Sequence, residues 1–259
     1  EDLSALGCDS DWIVRRTGIR ERRRAPDHLA TGDLCYRAAL DCLHRAGVEP
    51  DELDLILVGT ITPDYPTPST ACGLQDRLGA IAPAMDLSAA CAGFMYGLVT
   101  GAQFIAAGNA RRVLVVGADL MTRTIDPSDK KTYPLFGDAA GAVLLCPDAD
   151  DGRGLLSYQV GSEGHGGDLL CIAAGGTKQS VTPEIIASGG HYMRMDGRGV
   201  FKWAVRIIAD SAHDVLADAG ARPEEISLVV MHQANQRIID AAVSSLNVDA
   251  EKVFVNLDR

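Results

Sequence analysis

Cys91 and His232 are the side chains whose types and placement could do chemistry, and each stands just past an apolar run. Cys91 lies in Met85-Asp86-Leu87-Ser88-Ala89-Ala90-Cys91-Ala92-Gly93-Phe94. The run from Ile81 through Leu87 reads as a buried strand. The stretch from Cys91 to about Ala107, with Phe94, Leu98, Phe104 and Ile105 at helical spacing, reads as a helix. A thiol at such a strand-to-helix turn meets free N–H groups and the positive end of the helix dipole, so it is expected to ionise more readily than an ordinary cysteine. Small neighbours leave room for a substrate, as acyl transfer through a thioester requires. The competing reading is a small apolar side chain packed at a crossover. His232 follows an expected strand from Ile226 to Met231 and opens His232-Gln233-Ala234-Asn235-Gln236-Arg237. Its competing reading is a structural hydrogen-bonding role.

The elements that must position these groups alternate between strand and helix. The spacing predicts a helix over Leu34 to Ala46, a buried strand over Leu53 to Thr60, and a second helix opened by Thr67-Pro68-Ser69-Thr70, where proline and hydroxyls suit a cap. A strand at Val113 to Val116 follows, and Phe136-Gly137-Asp138-Ala139-Ala140-Gly141 turns into another that ends near Leu145. This order implies an α/β architecture. A duplication underlies it. Ala46-Gly47-Val48-Glu49-Pro50-Asp51-Glu52-Leu53 matches Ala219-Gly220-Ala221-Arg222-Pro223-Glu224-Glu225-Ile226 at one constant offset, each closing a helix and entering a strand. Two similar halves joined near Pro147 to Gly154 are expected, residues 1–150 carrying the cysteine and residues 151–259 the histidine. Ligands in α/β sheets collect at the carboxyl ends of strands, so the Cys91 and His232 strand ends are expected to converge on one pocket.

Bulk properties exclude several classes. The 259 residues are 47% hydrophobic, enough for a large core, and the net charge of −11 argues against nucleic-acid binding. No apolar run approaches the roughly 20 residues that span a bilayer, and no secretory leader is visible. Seven scattered cysteines without C-x-x-C or His/Cys ligand spacing point to reduced thiols in a cytoplasmic protein without structural zinc.

Asp11-Trp12-Ile13, Arg16-Thr17-Gly18-Ile19-Arg20-Glu21-Arg22, Ser88-Ala89-Ala90-Cys91-Ala92-Gly93, Phe136 to Gly141 and His232-Gln233-Ala234-Asn235 stand in an order that resembles β-ketoacyl-[acyl carrier protein] synthase III. That resemblance spans essentially the whole chain. It implies a thiolase-like fold of two duplicated α/β halves in an αβαβα arrangement, here truncated at both ends. It implies a decarboxylative Claisen condensation of an acyl-CoA primer with malonyl-acyl carrier protein, without a cofactor, by a cytoplasmic homodimer with no nucleic-acid or membrane partner. Cys91 then matches the nucleophile and His232 the group that binds the malonyl thioester carbonyl. The family's third catalytic residue, an asparagine in a Gly-Asn-Thr/Ser-Ala motif, follows a segment like Val253 to Arg259; Asn256 precedes that motif and is not its equivalent.

Substrate handling follows by matched position. Trp12 corresponds to the residue stacking on the CoA adenine, with Arg16 and Lys130 toward the nucleotide and Asn235 at the pantetheine. Lys130 stands where arginine is usual and Cys8 where threonine is common. Gln233, Ala234, Asn235, Gln236 and Arg237 match the carrier-protein docking segment, and Lys202, Arg206 and Arg237 offer it a basic face, an ordinary solvated helix face being the other reading. Thr67 stands at the base of the acyl pocket, where members restricted to very short primers carry a bulky aromatic, so room for a longer or branched primer is expected. A starter-unit condensing enzyme of secondary metabolism and a non-catalytic acyl- or CoA-binding homologue are the alternative readings.

Overall fold

The computed structural model describes residues 3, 6–148, 153–246 and 248–259. In chain order the helices are α1 (Ser10–Thr17), α2 (Thr31–Ala46), α3 (Thr70–Leu78), α4 (Gly93–Ala106), α5 (Pro183–Ala187), α6 (Gly197–Ala219) and α7 (Gln236–Leu246). The strands are β1 (Leu55–Gly59), β2 (Ala84–Leu87), β3 (Val113–Leu120), β4 (Asp138–Leu145), β5 (Leu170–Ile172), β6 (Met193–Met195), β7 (Val229–Val230) and β8 (Val253–Phe254). They fall into two compact units, one of Arg23–Met121 with Asp138–Leu156, the other of Glu1–Arg22, Thr122–Gly137 and Ser157–Arg259. This division by packing differs in kind from a division by sequence repeat, and the expected link at Pro147 to Gly154 lies partly outside the described residues. Among the described residues no helix is long and apolar enough to cross a membrane.

The unit holding Cys91 is an α/β/α sandwich around a four-stranded sheet of order β2-β1-β3-β4, in which β4 alone runs antiparallel. Its centre is buried on both faces because β1 and β3 carry apolar residues at every core position. Ile56, Val58, Leu114 and Val116 pack toward Cys35, Ala39, Leu43, Leu74 and Leu78 of α2 and α3. Their alternates Leu55, Leu57, Val113 and Val115 pack with Phe94 and Ile105 of α4. Each such side chain removed from water stabilises the fold by about 2 kcal/mol. α4 reaches the sheet along Gly93, Gly97 and Gly101, all buried; a Cβ on Gly97 would lie 2.7 Å from Val115 Cγ1.

One strand differs from its expected setting. β2 is an edge strand, only half buried, with Met85 39% exposed, and Ile81, expected to begin it, lies ahead of it and is 86% exposed. An apolar run does not report whether a strand has one neighbour or two, and among the described residues β2 pairs only with β1.

The other unit packs α7 against the 23-residue α6 and sets α1 across α7. Gly18, in the left-handed conformation that ends α1, comes so close to α7 that a Cβ there would lie 2.9 Å from Gln236 Cβ. β5 pairs antiparallel with β6, and β7 pairs parallel with β8. The matched segments of sequence have the same local construction. Gly47 and Gly220 end α2 and α6 with φ of 62° and 64°. Each is followed by a 3₁₀ turn, Pro50–Glu52 and Pro223–Glu225, whose closing glutamate accepts the N–H of Glu49 or Arg222 at 2.9 and 2.8 Å.

Candidate active site

Cys91 lies in a 3₁₀ turn, Ala90–Ala92, between β2 and α4. Ala90 has φ of 47°, a left-handed conformation that costs a non-glycine residue about 1–2 kcal/mol. The strain is held because Gly93 abuts Gly59 at the end of β1, fixing where the helix begins. The Cys91 side chain reaches solvent, yet the protein atoms around it desolvate the thiolate and push the thiol's pKa up. Its own backbone N–H offsets part of that rise, and the Asp119 carboxylate adds to it. The expectation of an easily ionised thiol is therefore corrected. The sulfur sits ahead of the helix rather than on its first turn, and loss of water outweighs the N–H groups there. At neutral pH the thiol rests protonated.

The turn belongs to a hydrogen-bonded cluster at the exits of β1, β2 and β3. Thr60 N–H donates to Leu87 O at 3.2 Å, and Asp86 accepts from Thr70 and Ala71 N–H at 2.8 Å each, capping α3 together with Ser69. Thr60, Ile61, Pro63, Tyr65, Pro66, Ser69, Ala84, Met85, Asp86 and Ser88 line a cleft of about 550 Å³ in this unit. Thr67 is exposed between two of the loop residues that form it, Pro66 and Ser69.

His232 follows β7 in the other unit. Part of its ring is open to solvent, but burial lowers its pKa, so the imidazole is neutral at pH 7. Gln233 braces the loop, donating from Nε2 to Met231 O (2.9 Å) and Phe254 O (3.2 Å) and accepting Asn256 N–H through Oε1 at 3.0 Å. Asn235 Oδ1 accepts Arg237 N–H at 2.9 Å and so caps α7, while its NH₂ makes no hydrogen bond among the described residues. Ala234 is half buried, and Gln236 Nε2 donates to Asp240 at 2.8 Å. Gln233, matched to carrier-protein docking, and Asn235, matched also to the pantetheine, thus both build the loop that carries His232.

Trp12, Arg16, Lys130 and Lys202 lie in the unit of His232, whereas Thr67 lies in that of Cys91. Trp12 is half buried, with the Arg16 guanidinium 4.8 Å from its ring centroid. Lys130 is exposed on a turn knit by Asp126 and Asp129 and joined to Arg22, which donates to Tyr133 O at 2.8 Å. Lys202 and Arg237 are exposed, and Arg237 lies 5.8 Å over Phe201. Arg206 is instead spent on Glu163 (2.7 Å) and Asp210 (3.6 Å), so the expected basic face loses one of its three cations. Among the described residues no group of three or more His, Cys, Asp or Glu side chains stands together for a metal. Sequence reasoning missed Ala90, Gln233 as a brace, and Asp119. The visible signal for the last was an acid closing the apolar β3 beside the threonines that follow β1.

The family described as 3-oxoacyl-[acyl-carrier-protein (ACP)] synthase III matches residues 85–164, and its C-terminal counterpart matches residues 216–259. The β-ketoacyl-[acyl-carrier-protein] synthase III of Rhodopirellula baltica is 64% identical over 276 aligned residues, covering 100% of this chain and 80% of that protein. The crystal structure of 3-oxoacyl-[acyl-carrier-protein] synthase III from Aquifex aeolicus superposes with a TM-score of 0.89 at 40% identity, covering 100% of this chain and 79% of that one. The corresponding enzyme of Pseudomonas aeruginosa gives 0.90 at 39% identity, covering 99% and 77%. Fold and matches together make this a thiolase-fold condensing enzyme, an acyltransferase. The chain belongs to the 3-oxoacyl-[acyl-carrier-protein] synthase III family.

Proposed function

We propose that the chain condenses an acyl-CoA primer with malonyl-acyl carrier protein, losing CO₂, to give the 3-oxoacyl-acyl carrier protein that initiates fatty acid synthesis. Cys91 attacks the primer thioester; its S–C bond forms as the bond to CoA breaks, and the thiol proton leaves with CoA–SH. Splitting the reaction through this acyl-enzyme lets two thioester substrates use the site in turn. Malonyl decarboxylation then puts negative charge on the thioester oxygen, and an N–H of neutral His232 stabilises it. The carbanion attacks the carbonyl of the Cys91 thioester; the new C–C bond forms as the S–C bond breaks, the 3-oxoacyl product leaves, and the Cys91 thiolate takes a proton from water. The observation that carries this reading is the solvent-accessible thiol held on a strained turn between β2 and α4, in a chain of this family. Intact-mass analysis after incubation with acyl-CoA tests it. A mass gain of one acyl group at Cys91, discharged by malonyl-carrier protein, supports the condensing enzyme; binding without a mass gain supports a non-catalytic homologue.

His232→Ala is expected to retain acylation while slowing condensation about 10²–10³-fold. Because burial lowers the His232 pKa, the neutral form persists below the range of an ordinary histidine. Condensation therefore holds to more acid pH than a pKa near 6.5 would allow, then falls as the ring protonates. Single-turnover decay of the acyl-enzyme against pH reads this directly, and an acid limb above 6.5 would contradict it.

The remaining assignments belong to the same proposal. Trp12 and Arg16, with Lys130, take the nucleotide end of CoA, and the unpaired NH₂ of Asn235 takes the pantetheine. Lys202, Arg237 and the loop from Gln233 to Gln236 receive the acidic carrier protein. The matching turns after α2 and α6 support two duplicated halves, residues 1–150 and 151–259. The edge strand β2, with Ile81 exposed just ahead of it and Tyr65 exposed in the cleft that Ala84 and Met85 also line, supports a homodimer. Seven free thiols support a cytoplasmic setting. For Thr67, exposed on the loop of the cleft, rates across acetyl-, isobutyryl- and octanoyl-CoA are expected to favour the branched or longer primers; a sharp acetyl preference would remove Thr67 from the acyl pocket.

A further inference from the structure

One carboxylate ties together the exits of the strands around Cys91. Asp119, next to last in β3, accepts four donors on a single oxygen, Oδ1: Thr60 Oγ1 at 3.0 Å, Ile61 N at 2.9 Å, Thr62 N at 3.1 Å and Thr62 Oγ1 at 2.9 Å. Thr62 Oγ1 in turn accepts Leu120 N–H at 2.9 Å, closing the loop back onto β3. Thr62 O accepts the Thr31 hydroxyl at 2.6 Å, which anchors the same turn to the start of α2. From Thr60, N–H donates to Leu87 O, the last residue of the strand that delivers Cys91. Hydrogen bonds to a carboxylate are charge-assisted and about twice as strong as neutral ones, so four of them on one oxygen hold the turn firmly.

The turn so fixed has two neighbours that matter. On one side Thr60, Ile61 and Pro63 form a wall of the cleft that Ser88 also lines. On the other, Thr60 is bonded to the backbone from which Ser88 to Cys91 departs. We propose that Asp119 is a positioning residue, locking the Thr60–Thr62 turn against the exit of β2 and thereby setting both the presentation of the Cys91 thiol and the shape of the acyl-side wall. This rests on the reading of Cys91 as the nucleophile. The same carboxylate also acts on the thiol through space, disfavouring the thiolate, which gives the proposal a signature that mere structural support lacks.

Asp119→Asn keeps an acceptor at Oδ1 and removes the charge; Asp119→Ala frees all four donors; Thr62→Val breaks one hydroxyl bridge. In Asp119→Asn the pH profile of Cys91 alkylation by iodoacetamide is expected to move to lower pH. In Asp119→Ala, acylation of Cys91 is expected to fall about 10–100-fold, as a displacement near 1 Å in a reacting group does, and the ratio of rates for acetyl-, isobutyryl- and octanoyl-CoA is expected to change. Thr62→Val is expected to alter the same ratio less, and decides the matter if the alanine variant does not fold. An alkylation profile unmoved in Asp119→Asn, or wild-type rates and primer ratios in folded Asp119→Ala, would overturn the proposal. Alkylation needs no acyl-CoA, so a wild-type chain that alkylates at Cys91 but accepts no primer sinks the enzymatic reading and leaves the Asp119 test standing.

Discussion

Cys91→Ser is expected to reduce acyl-enzyme formation on the order of 10³-fold or more while leaving the fold intact. The side chain reaches solvent, and the change trades sulfur for oxygen at nearly equal volume, so packing loses little. Chemistry loses a great deal. A hydroxyl is a far weaker nucleophile than a thiol unless a base is held against it, and in the unit of Cys91 the neighbouring titratable group, Asp119, has its Oδ1 committed to four donors. The measurement is the intact mass after exposure to acyl-CoA, with circular dichroism as the control. The direction of the pKa adds a second reading: wild-type alkylation should climb with pH through a value above that of an ordinary cysteine, because desolvation raises it. A variant acylated within tenfold of wild type would mean that another residue takes the acyl group.

That prediction divides what was legible in the sequence from what was not. The place of Cys91 was legible: an apolar run, then small residues, then helical spacing, put a reactive side chain at a strand exit, and the structure has β2 and α4 on either side of it. Its protonation state was not. Helix-end electrostatics can be read from a local pattern, but desolvation depends on what other segments bring against the sulfur, and Asp119 arrives from β3 across the sheet. The same limit explains Gln233. It matches a docking segment, yet its partners Phe254 O and Asn256 N–H are fixed only when β7 meets β8. The cap that Asn235 makes on Arg237 N–H is local, two residues away, and could have been read from an asparagine just ahead of a helix.

Secondary structure was legible wherever burial is complete. β1 and β3 carry apolar side chains on both faces, so the pattern is unmistakable although it says nothing of pairing. β3 also ran past its apolar stretch, from Val116 on to Leu120, because the antiparallel ladder to β4 continues through Gly117, Ala118 and Asp119. The second-half strand shrank the other way: of the run Ile226 to Met231 only Val229–Val230 pairs. α1 was overlooked as a helix because its charged residues hide an eight-residue element. Its stops were nonetheless present, Asp9 capping Trp12 N–H at 2.6 Å and Gly18 turning the chain left-handed.

The contact that holds the Cys91 turn in place can be tested by adding one methyl group. A Cβ on Gly59 would lie 2.6 Å from Gly93 C, 2.8 Å from Gly93 O and 2.9 Å from Phe94 N. All three are backbone atoms, so no side-chain rotation relieves the clash, and α4 must move away from the end of β1. Gly59→Ala is therefore expected to destabilise by about 2–3 kcal/mol, a fall in melting temperature of about 5–10 °C for a chain of this size. Cys91 sits two residues ahead of Gly93 in the displaced turn, so acylation is expected to fall about 10–100-fold as well. Gly73→Ala is the matched control. It lies inside α3, has no atom within 4 Å of its would-be Cβ, and is exposed, so the same substitution there should stabilise by up to about 1 kcal/mol through helix propensity. Opposite signs for one chemical change, read by thermal melting and by intact mass on both variants, would tie the effect to the β1–α4 approach. Equal melting temperatures would mean that α4 can slide along the sheet, and that the strained turn at Ala90 is set by something other than the glycine contact.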